Sequence, residues 1–180
     1  SFELGMLDLR FVLRPARTLP ADKVVIVEIG DDTVAKLGRF PFDRNYHAIL
    51  INALSEFGAR TILFDVLFSS PQEHDAELEE AVAGSGRTYL PFALDIDSNN
   101  GSNVISAKGY ASECLAGLAA KAKGTGQINV VPDTDGKFRR LPLYIKYGDK
   151  LYPNLSFLAA CDYLGIDKNE IEFYPGKRAR

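Results

Sequence analysis

The alternation of apolar runs with amphipathic stretches along the chain predicts a mixed α/β fold. Three runs, residues 24–27, 61–68 and 88–92, are largely apolar and are typical of strands buried inside a sheet. Asp65 is the acidic residue that interrupts the second run. An amphipathic lead-in over residues 2–13 precedes the first run.

The stretch between the first two runs has the periodicity of a helix. Asp43 is a suitable N-cap for this helix, and Gly58 is a suitable terminator. The pattern leaves His47 off the apolar face. The side chains predicted to form that face are Tyr46, Ile49, Leu50, Ala53, Leu54 and Phe57.

A second, shorter helix is predicted to open at Asp75 and to end at Gly84, burying Leu78, Ala81 and Val82. Each of the two helices therefore lies between two predicted strands. Successive strand–helix–strand crossovers imply a parallel sheet whose connections are right-handed.

The second half of the chain predicts a polar loop, a small helix, a hairpin and a last helix, at residues 95–109, 111–122, 127–147 and 153–165 respectively. We place the hairpin turn at Asp135-Gly136, because Asp-Gly is a strong hairpin signal, and we predict a second turn at Gly148-Asp149. The predicted fold class is thus α/β: a parallel β-α-β-α-β core with helices on the sheet, then an antiparallel hairpin and a C-terminal helix. We interpret residues 1–180 as one domain.

Composition excludes some classes of partner. The formal net charge of the 180 residues is -3, which provides no basic surface for a nucleic-acid backbone. No apolar run reaches the length that spans a bilayer, and the first residue is Ser1 rather than Met. We therefore interpret the chain as a segment excised from between membrane helices, although a processed soluble protein would look the same.

The cysteines and histidines indicate no catalytic or metal site. Cys114 and Cys161 are far apart and form no CxxC unit; they could pair under oxidising conditions, and we favour buried free thiols. His47 and His74 are the only histidines, and neither comes with a recognisable nucleophile motif. We predict no cofactor and no metal.

Acidic residues follow the ends of the first two predicted strands, where open α/β sheets usually bind ligands. Such carboxylates can hold Mg²⁺ or Ca²⁺ or receive a cationic ligand, but they can also cap helices and pair with the nearby Arg39 and Arg44. We favour the structural role. The carboxylates concerned are Glu28, Asp31, Asp32 and Asp65.

Two further interpretations are weak. A phosphoryl-transfer enzyme would use Asp65 as nucleophile, yet Leu67 stands where a second acid would be needed. The segment Asp133-Thr134-Asp135-Gly136 resembles the start of a calcium loop, but its twelfth position is Tyr144 rather than Glu. We interpret it as a hairpin turn followed by solvated Arg139 and Arg140.

Three separated motifs resemble one known family. They are Leu37-Gly38-Arg39-Phe40-Pro41-Phe42-Asp43-Arg44, then Phe64-Asp65-Val66-Leu67-Phe68, and finally Gln127-Ile128-Asn129-Val130 leading to Asp133-Thr134-Asp135-Gly136-Lys137-Phe138-Arg139-Arg140. In this order and spacing they resemble the type-two CHASE domain, the cyclase/histidine-kinase-associated sensory extracellular domain. The likeness covers about residues 7–160. Gly30 departs from it, since the family has an acid there, and Phe40 and Phe42 replace tryptophans.

The resemblance implies an extracytoplasmic sensor, periplasmic or extracellular, and not an enzyme in itself. Membrane helices would join it to a cytoplasmic histidine kinase, nucleotide cyclase such as an adenylate cyclase, diguanylate cyclase or protein kinase, in some cases within a two-component system. Its partners would be an unidentified stimulus, the membrane-embedded remainder of the receptor and, as an allowed assembly, a second copy of the chain. The family continues through more sheet, so we expect this chain to lack the C-terminal part of the domain.

We place the candidate ligand site at the strand ends, where Phe40, Phe42 and Arg44 would join the four carboxylates. The same residues could instead form a closed network in which Arg44 pairs with Asp65, and we favour the network. The alternative function is a soluble metal-dependent phosphohydrolase, which turnover of simple phosphoesters with Mg²⁺ would reveal.

Overall fold

The computed structural model describes residues 2–15, 24–97, 104–167 and 170–171. These residues fall into two compact units. The N-terminal unit comprises residues 1–42 and 134–136, and the sheet unit comprises residues 43–133 and 137–180.

The described residues of the N-terminal unit form two helices, α1 (Phe2–Leu13) and α2 (Asp31–Leu37), and no residue of either helix is buried. The predicted strand at residues 24–27 is wrong. These four residues belong to no strand, and their side chains are 53% to 86% exposed. An apolar run favours a strand only where a neighbouring strand satisfies its backbone groups. The described sheet takes its parallel strands from later segments.

The sheet unit is built around one long strand. The strands of its main sheet are β1 (Ile62–Leu63), β2 (Thr88–Ile96), β3 (Ala107–Ser112) and β4 (Gly124–Gln127). β2 pairs in parallel with β1 and with β4, and its second half pairs antiparallel with β3. The mixed α/β class with a parallel sheet is therefore confirmed.

β1 is much shorter than predicted. Of the predicted residues 61–68, only Ile62 and Leu63 form strand pairs, although the Phe64 N–H still donates to the Tyr89 carbonyl at 3.1 Å. Phe68 is fully buried in the irregular segment that follows. Asp65 is exposed, so it needs no buried partner.

Helix α3 (Arg44–Glu56) begins and ends where the sequence predicts. The Asp43 carboxylate accepts from the Asn45 N–H at 2.8 Å as N-cap, and Gly58 follows the helix with φ of 81°. The predicted face is only partly right, because Leu50 and Leu54 pack against the main core, whereas the buried residues of the helix are Arg44, His47, Ala48 and Ile51. The predicted face members Tyr46, Ile49 and Phe57 are exposed.

Helix α4 (Asp75–Ser85) buries the predicted Leu78, Ala81 and Val82. It ends two residues later than expected, at Gly86 instead of Gly84, and the φ of Gly86 is 59°. Ala116–Lys121 form α5, which is shorter than predicted because residues 111–112 belong to β3. The predicted loop at 95–109 is likewise replaced at its ends by β2 and β3, and its centre, residues 98–103, lies outside the described residues.

The antiparallel hairpin and C-terminal helix are confirmed as elements. The hairpin consists of β5 (Tyr144–Tyr147) and β6 (Lys150–Pro153), so its turn is at Gly148-Asp149 and not at Asp135-Gly136. Helix α6 (Leu155–Leu164) follows, with the Asn154 side chain accepting from the Ser156 N–H at 2.9 Å.

The segment before the hairpin is held by charge pairing instead of strand pairing. Both Arg139 and Arg140 bind the carboxylate of Asp133, at 3.0 and 2.7 Å. The Arg139 side chain is only 5% exposed, so the prediction that it is solvated is wrong. Charge-assisted hydrogen bonds of this kind are strong, whereas an isolated pair of β-strands at a surface is only marginally stable in water.

The main core lies where α3, α4 and α5 cover β1 and β2. Its fully buried members are Ile51, Phe68, Leu78, Val82, Leu90 and Leu118. A smaller cluster under α6 contains Tyr89, Leu155 and Leu158. Backbone approach there is close, since a Cβ atom on Gly126 would lie 2.6 Å from the Leu155 Cα.

Candidate functional site

In the N-terminal unit, two predicted carboxylates lie against the same glycine. A Cβ atom on Gly30 would be 3.1 Å from Oδ1 of Asp32 and 3.9 Å from Cδ of Glu28. Gly30 is the N-cap of α2, and Asp31 and Asp32 form its first turn, where negative charge is favourable. Glu28, Asp31 and Asp32 are all exposed. Because Gly30 has no side chain, open space remains beside these carboxylates, and solvent can reach the carboxylates.

The aromatic-Pro-aromatic element also belongs to this unit. The Phe40–Pro41 peptide bond is cis, and the rings of Phe40 and Phe42 meet edge to face with centroids 5.5 Å apart. Phe42 is buried, whereas Phe40 is 45% exposed. One ring thus anchors the element and the other offers an accessible apolar surface.

In the sheet unit, the predicted pairing of Arg44 with Asp65 is wrong. The Arg44 Nε donates to the Asp75 carboxylate at 2.9 Å, and its Nη2 donates to the Ser70 carbonyl at 3.0 Å. The guanidinium also lies over the Phe68 ring, 4.7 Å from the centroid. The Arg44 side chain is only 3% exposed, so its charge is paired inside the protein. Among the described residues, Asp75 and not Asp65 is its carboxylate partner.

A second ion pair joins the same two helix starts. Nδ1 of His74 lies 2.9 Å from the Asp43 carboxylate, and both side chains are about one third exposed. His74 has φ of 62°, a left-handed conformation that is uncommon for a residue with a side chain. The hydrogen bond to Asp43 raises the pKa of His74, whereas the Asn45 N–H and then His74 lower the pKa of Asp43.

Sequence reasoning missed this double pairing, although the signal is visible. Each helix start carries two adjacent ionisable residues, Asp43-Arg44 at α3 and His74-Asp75 at α4. The acid of each pair binds the base of the other. Only the packing of α3 against α4 brings the two dipeptides together.

His47 is buried, contrary to the predicted helix face. It is 4% exposed and packs edge to face on Phe64 and Phe68, with ring centroids 5.9 and 5.2 Å away. Burial, and then the charge of Arg44, lower its pKa. The imidazole therefore favours the neutral form in the folded chain.

Cys161 is buried and Cys114 is partly buried, and the two do not form a disulfide. Burial raises the pKa of Cys114 to about 11. That thiol is therefore protonated at neutral pH and has little nucleophilic thiolate.

A shallow groove of about 300 Å³ runs between α3 and α4. Amides from α3 and carboxylates from α4 line it, together with three apolar side chains. The polar members are Asn45, Asn52, Glu77 and Glu80. In the described part of the chain, no group of three or more His, Cys, Asp or Glu side chains is arranged to hold a metal ion.

The motif Gln127-Ile128-Asn129 has a structural role. The Asn129 side chain acts as a strand partner for Leu94 of β2, accepting from its N–H at 2.9 Å and donating to its carbonyl at 2.7 Å. The fully buried Gln127 amide donates to the Pro142 carbonyl and accepts from the Asn129 N–H. These two side chains hold the chain against β2 beyond the end of β4.

The described helices include none with the length and apolar character needed to cross a bilayer. What the fold contains instead is a parallel sheet with surface helices, accessible acids and an internal ion-pair network. The chain matches the family model for the CHASE2 domain over residues 1–178, and it belongs to that family of extracellular sensory domains. No curated protein and no solved structure matches the chain.

Proposed function

We propose that this chain is the stimulus-binding domain of a membrane receptor, positioned outside the cytoplasm and connected by membrane helices to a cytoplasmic output domain. The observation that carries the proposal is the family match, which extends over residues 1–178. A histidine kinase, a nucleotide cyclase, a diguanylate cyclase or a protein kinase would serve as the output domain. Stimulus binding would act by changing the population of two conformations or associations of the domain.

A reporter fusion in the full-length protein tests this topology. A reporter enzyme that is active only outside the cytoplasm, inserted at Asn99, should be active in intact cells. The same reporter fused to the output domain is the matched control and should be inactive. The opposite pattern, with activity only of a cytoplasmic reporter at Asn99, would reject the proposal.

Within this function, we propose that the stimulus contacts the accessible acids of the N-terminal unit. Supporting this, Glu28 and Asp32 both border the open space at Gly30, and the exposed ring of Phe40 belongs to the same unit. Carboxylates suit a ligand with a positively charged nitrogen, and an accessible aromatic face can add a cation–π contact. The sequence places three further residues in the same ligand cleft, and this wider site stays a prediction. The three are Phe42, Arg44 and Asp65.

Neutralising Glu28 and Asp32 together should abolish the response of the full-length receptor while leaving its melting temperature unchanged, because both side chains are exposed. Glu56→Gln supplies a control at an exposed acid outside the predicted cleft. A receptor that keeps its full response without both carboxylates would show that the stimulus binds elsewhere.

A further inference from the structure

Helix α1 carries an exposed apolar seam with the spacing of a coiled coil. Phe2, Met6, Leu9 and Leu13 follow one another at intervals of four, three and four residues, which are alternating d and a positions of a heptad. Their exposed fractions are 87%, 41%, 47% and 72%. The side chains of such a seam can pack against those of a second helix that has the same apolar spacing.

Charges beside the seam specify the orientation of that second helix. In the heptad defined by the seam, Glu3 and Arg10 both occupy e positions, whereas the g positions hold the uncharged Gly5 and Val12. Two parallel helices would bring e against g and leave both charges without an opposite charge. Two antiparallel helices bring e against e, so Glu3 of each copy meets Arg10 of the other.

We propose that α1 is a self-association surface that binds α1 of a second copy of this chain in an antiparallel pair. A two-fold axis at the middle of the helix repeats every contact, so that two apolar half-seams and two Glu3–Arg10 ion pairs form together. This inference goes beyond sensing, since it identifies the partner and the residues of an assembly.

The composition of α1 favours a protein partner over a lipid surface. Helices that lie in a membrane interface are rich in Lys and Arg on their polar face. The polar face of α1 instead has two acids, Glu3 and Asp8, and a single base, Arg10. The charge pattern therefore fits a copy of itself better than anionic lipid.

Two heptads make a weak dimer in solution. Helices of this length are marginal partners in water, and association also costs translational freedom, so we expect a dissociation constant of about 10 µM to 1 mM. Sedimentation equilibrium of the 180-residue chain across that range should show a monomer–dimer equilibrium. A chain that stays monomeric at the highest concentration would overturn the proposal.

A pair of matched substitutions locates the surface. Leu9→Lys places a charge in the seam and should weaken dimerisation at least about tenfold, because each copy's apolar contact with Met6 of the other copy is replaced by an ammonium group. Phe11→Lys places the same charge at a comparably exposed position, 54% against 47%, but opposite the seam. It should leave the dimer intact. Equal effects of the two variants would overturn the assignment.

Charge reversal tests the orientation. Glu3→Arg should weaken the dimer, and adding Arg10→Glu to the same chain should restore it, since the two charges only exchange places. Failure of the second change to restore the dimer overturns the antiparallel pairing. Melting temperatures should be the same for all variants, because α1 has no buried residue.

Flotation of a monomeric chain with phosphatidylcholine–phosphatidylserine vesicles would identify lipid as the occupant and overturn the proposal.

Discussion

Replacing Asp75 by Asn removes the carboxylate that pairs with Arg44 and keeps the size of the side chain. In the folded chain Arg44 is 3% exposed, so its guanidinium has little water to compensate for the lost charge. It would retain the Ser70 carbonyl and the face of the Phe68 ring. The substitution therefore leaves a buried cation with neutral partners only.

The expected cost follows from the burial of the two partners. Removing one member of a buried ion pair destabilises a protein by about 3–5 kcal/mol. Asp75 is 20% exposed and Asn can still accept a hydrogen bond, so we expect the lower value of about 2–3 kcal/mol. Asp65→Asn is the matched control: that side chain is exposed, and its neutralisation should change the free energy of unfolding by less than about 0.5 kcal/mol.

Urea unfolding of the 180-residue chain, followed by circular dichroism, measures both variants. With a slope of about 2 kcal/mol per molar urea, Asp75→Asn should lower the midpoint by about 1 M and Asp65→Asn should leave it in place. Two results would refute the reasoning. One is an unchanged midpoint for Asp75→Asn. The other is an equal lowering of the midpoint by Asp65→Asn, which would favour Asp65 as the partner of Arg44.

Three other predictions concern packing, pH and calcium. Gly126→Ala should cost about 2 kcal/mol because its Cβ would collide with the Leu155 backbone, whereas Gly109→Ala, with open space in β3, should be neutral in the same urea-unfolding assay. Burial of neutral His47 should stabilise the fold less as the pH drops from 7 to 5, because its lowered pKa means that this residue binds more protons in the unfolded chain, whereas the raised pKa of His74 acts in the opposite direction. Relative to the unchanged chain, His47→Gln should therefore lose less stability over this range, and an identical pH profile for the two proteins would contradict this. Asp135→Ala should leave the melting temperature in Ca²⁺ unchanged, and a calcium-dependent rise lost in this variant would identify a metal site.

Local signals in the sequence identified several elements because each depends on residues that are close together in the chain. The N-caps Asp43 and Asn154 accept the backbone N–H groups two positions on, as their residue types predict. Helix α4 buries the predicted Leu78, Ala81 and Val82. The family motifs likewise led to the CHASE2 domain, which the match over residues 1–178 confirms.

Candidate site residues were predictable by type and by position along the chain, but their partners were not. The acids at positions 28, 31 and 32 precede or begin α2, which periodicity alone does not indicate. The Arg44–Asp75 and His74–Asp43 pairs join residues 31 positions apart in sequence. The sequence offers several carboxylates as possible partners of an arginine. How α3 packs against α4 decides which of them forms the ion pair.

The sequence by itself determined where α3, α4 and α6 start, which family the chain belongs to, and that it mixes a parallel sheet with helices. Those properties follow from short-range patterns of caps, glycines and apolar spacing. Tertiary structure decided that residues 24–27 form no strand, that His47 is buried, and that the hairpin turns at Gly148 instead of Gly136. Strand pairing and burial depend on which distant segment supplies the neighbouring backbone or side chain, and no local pattern contains that information.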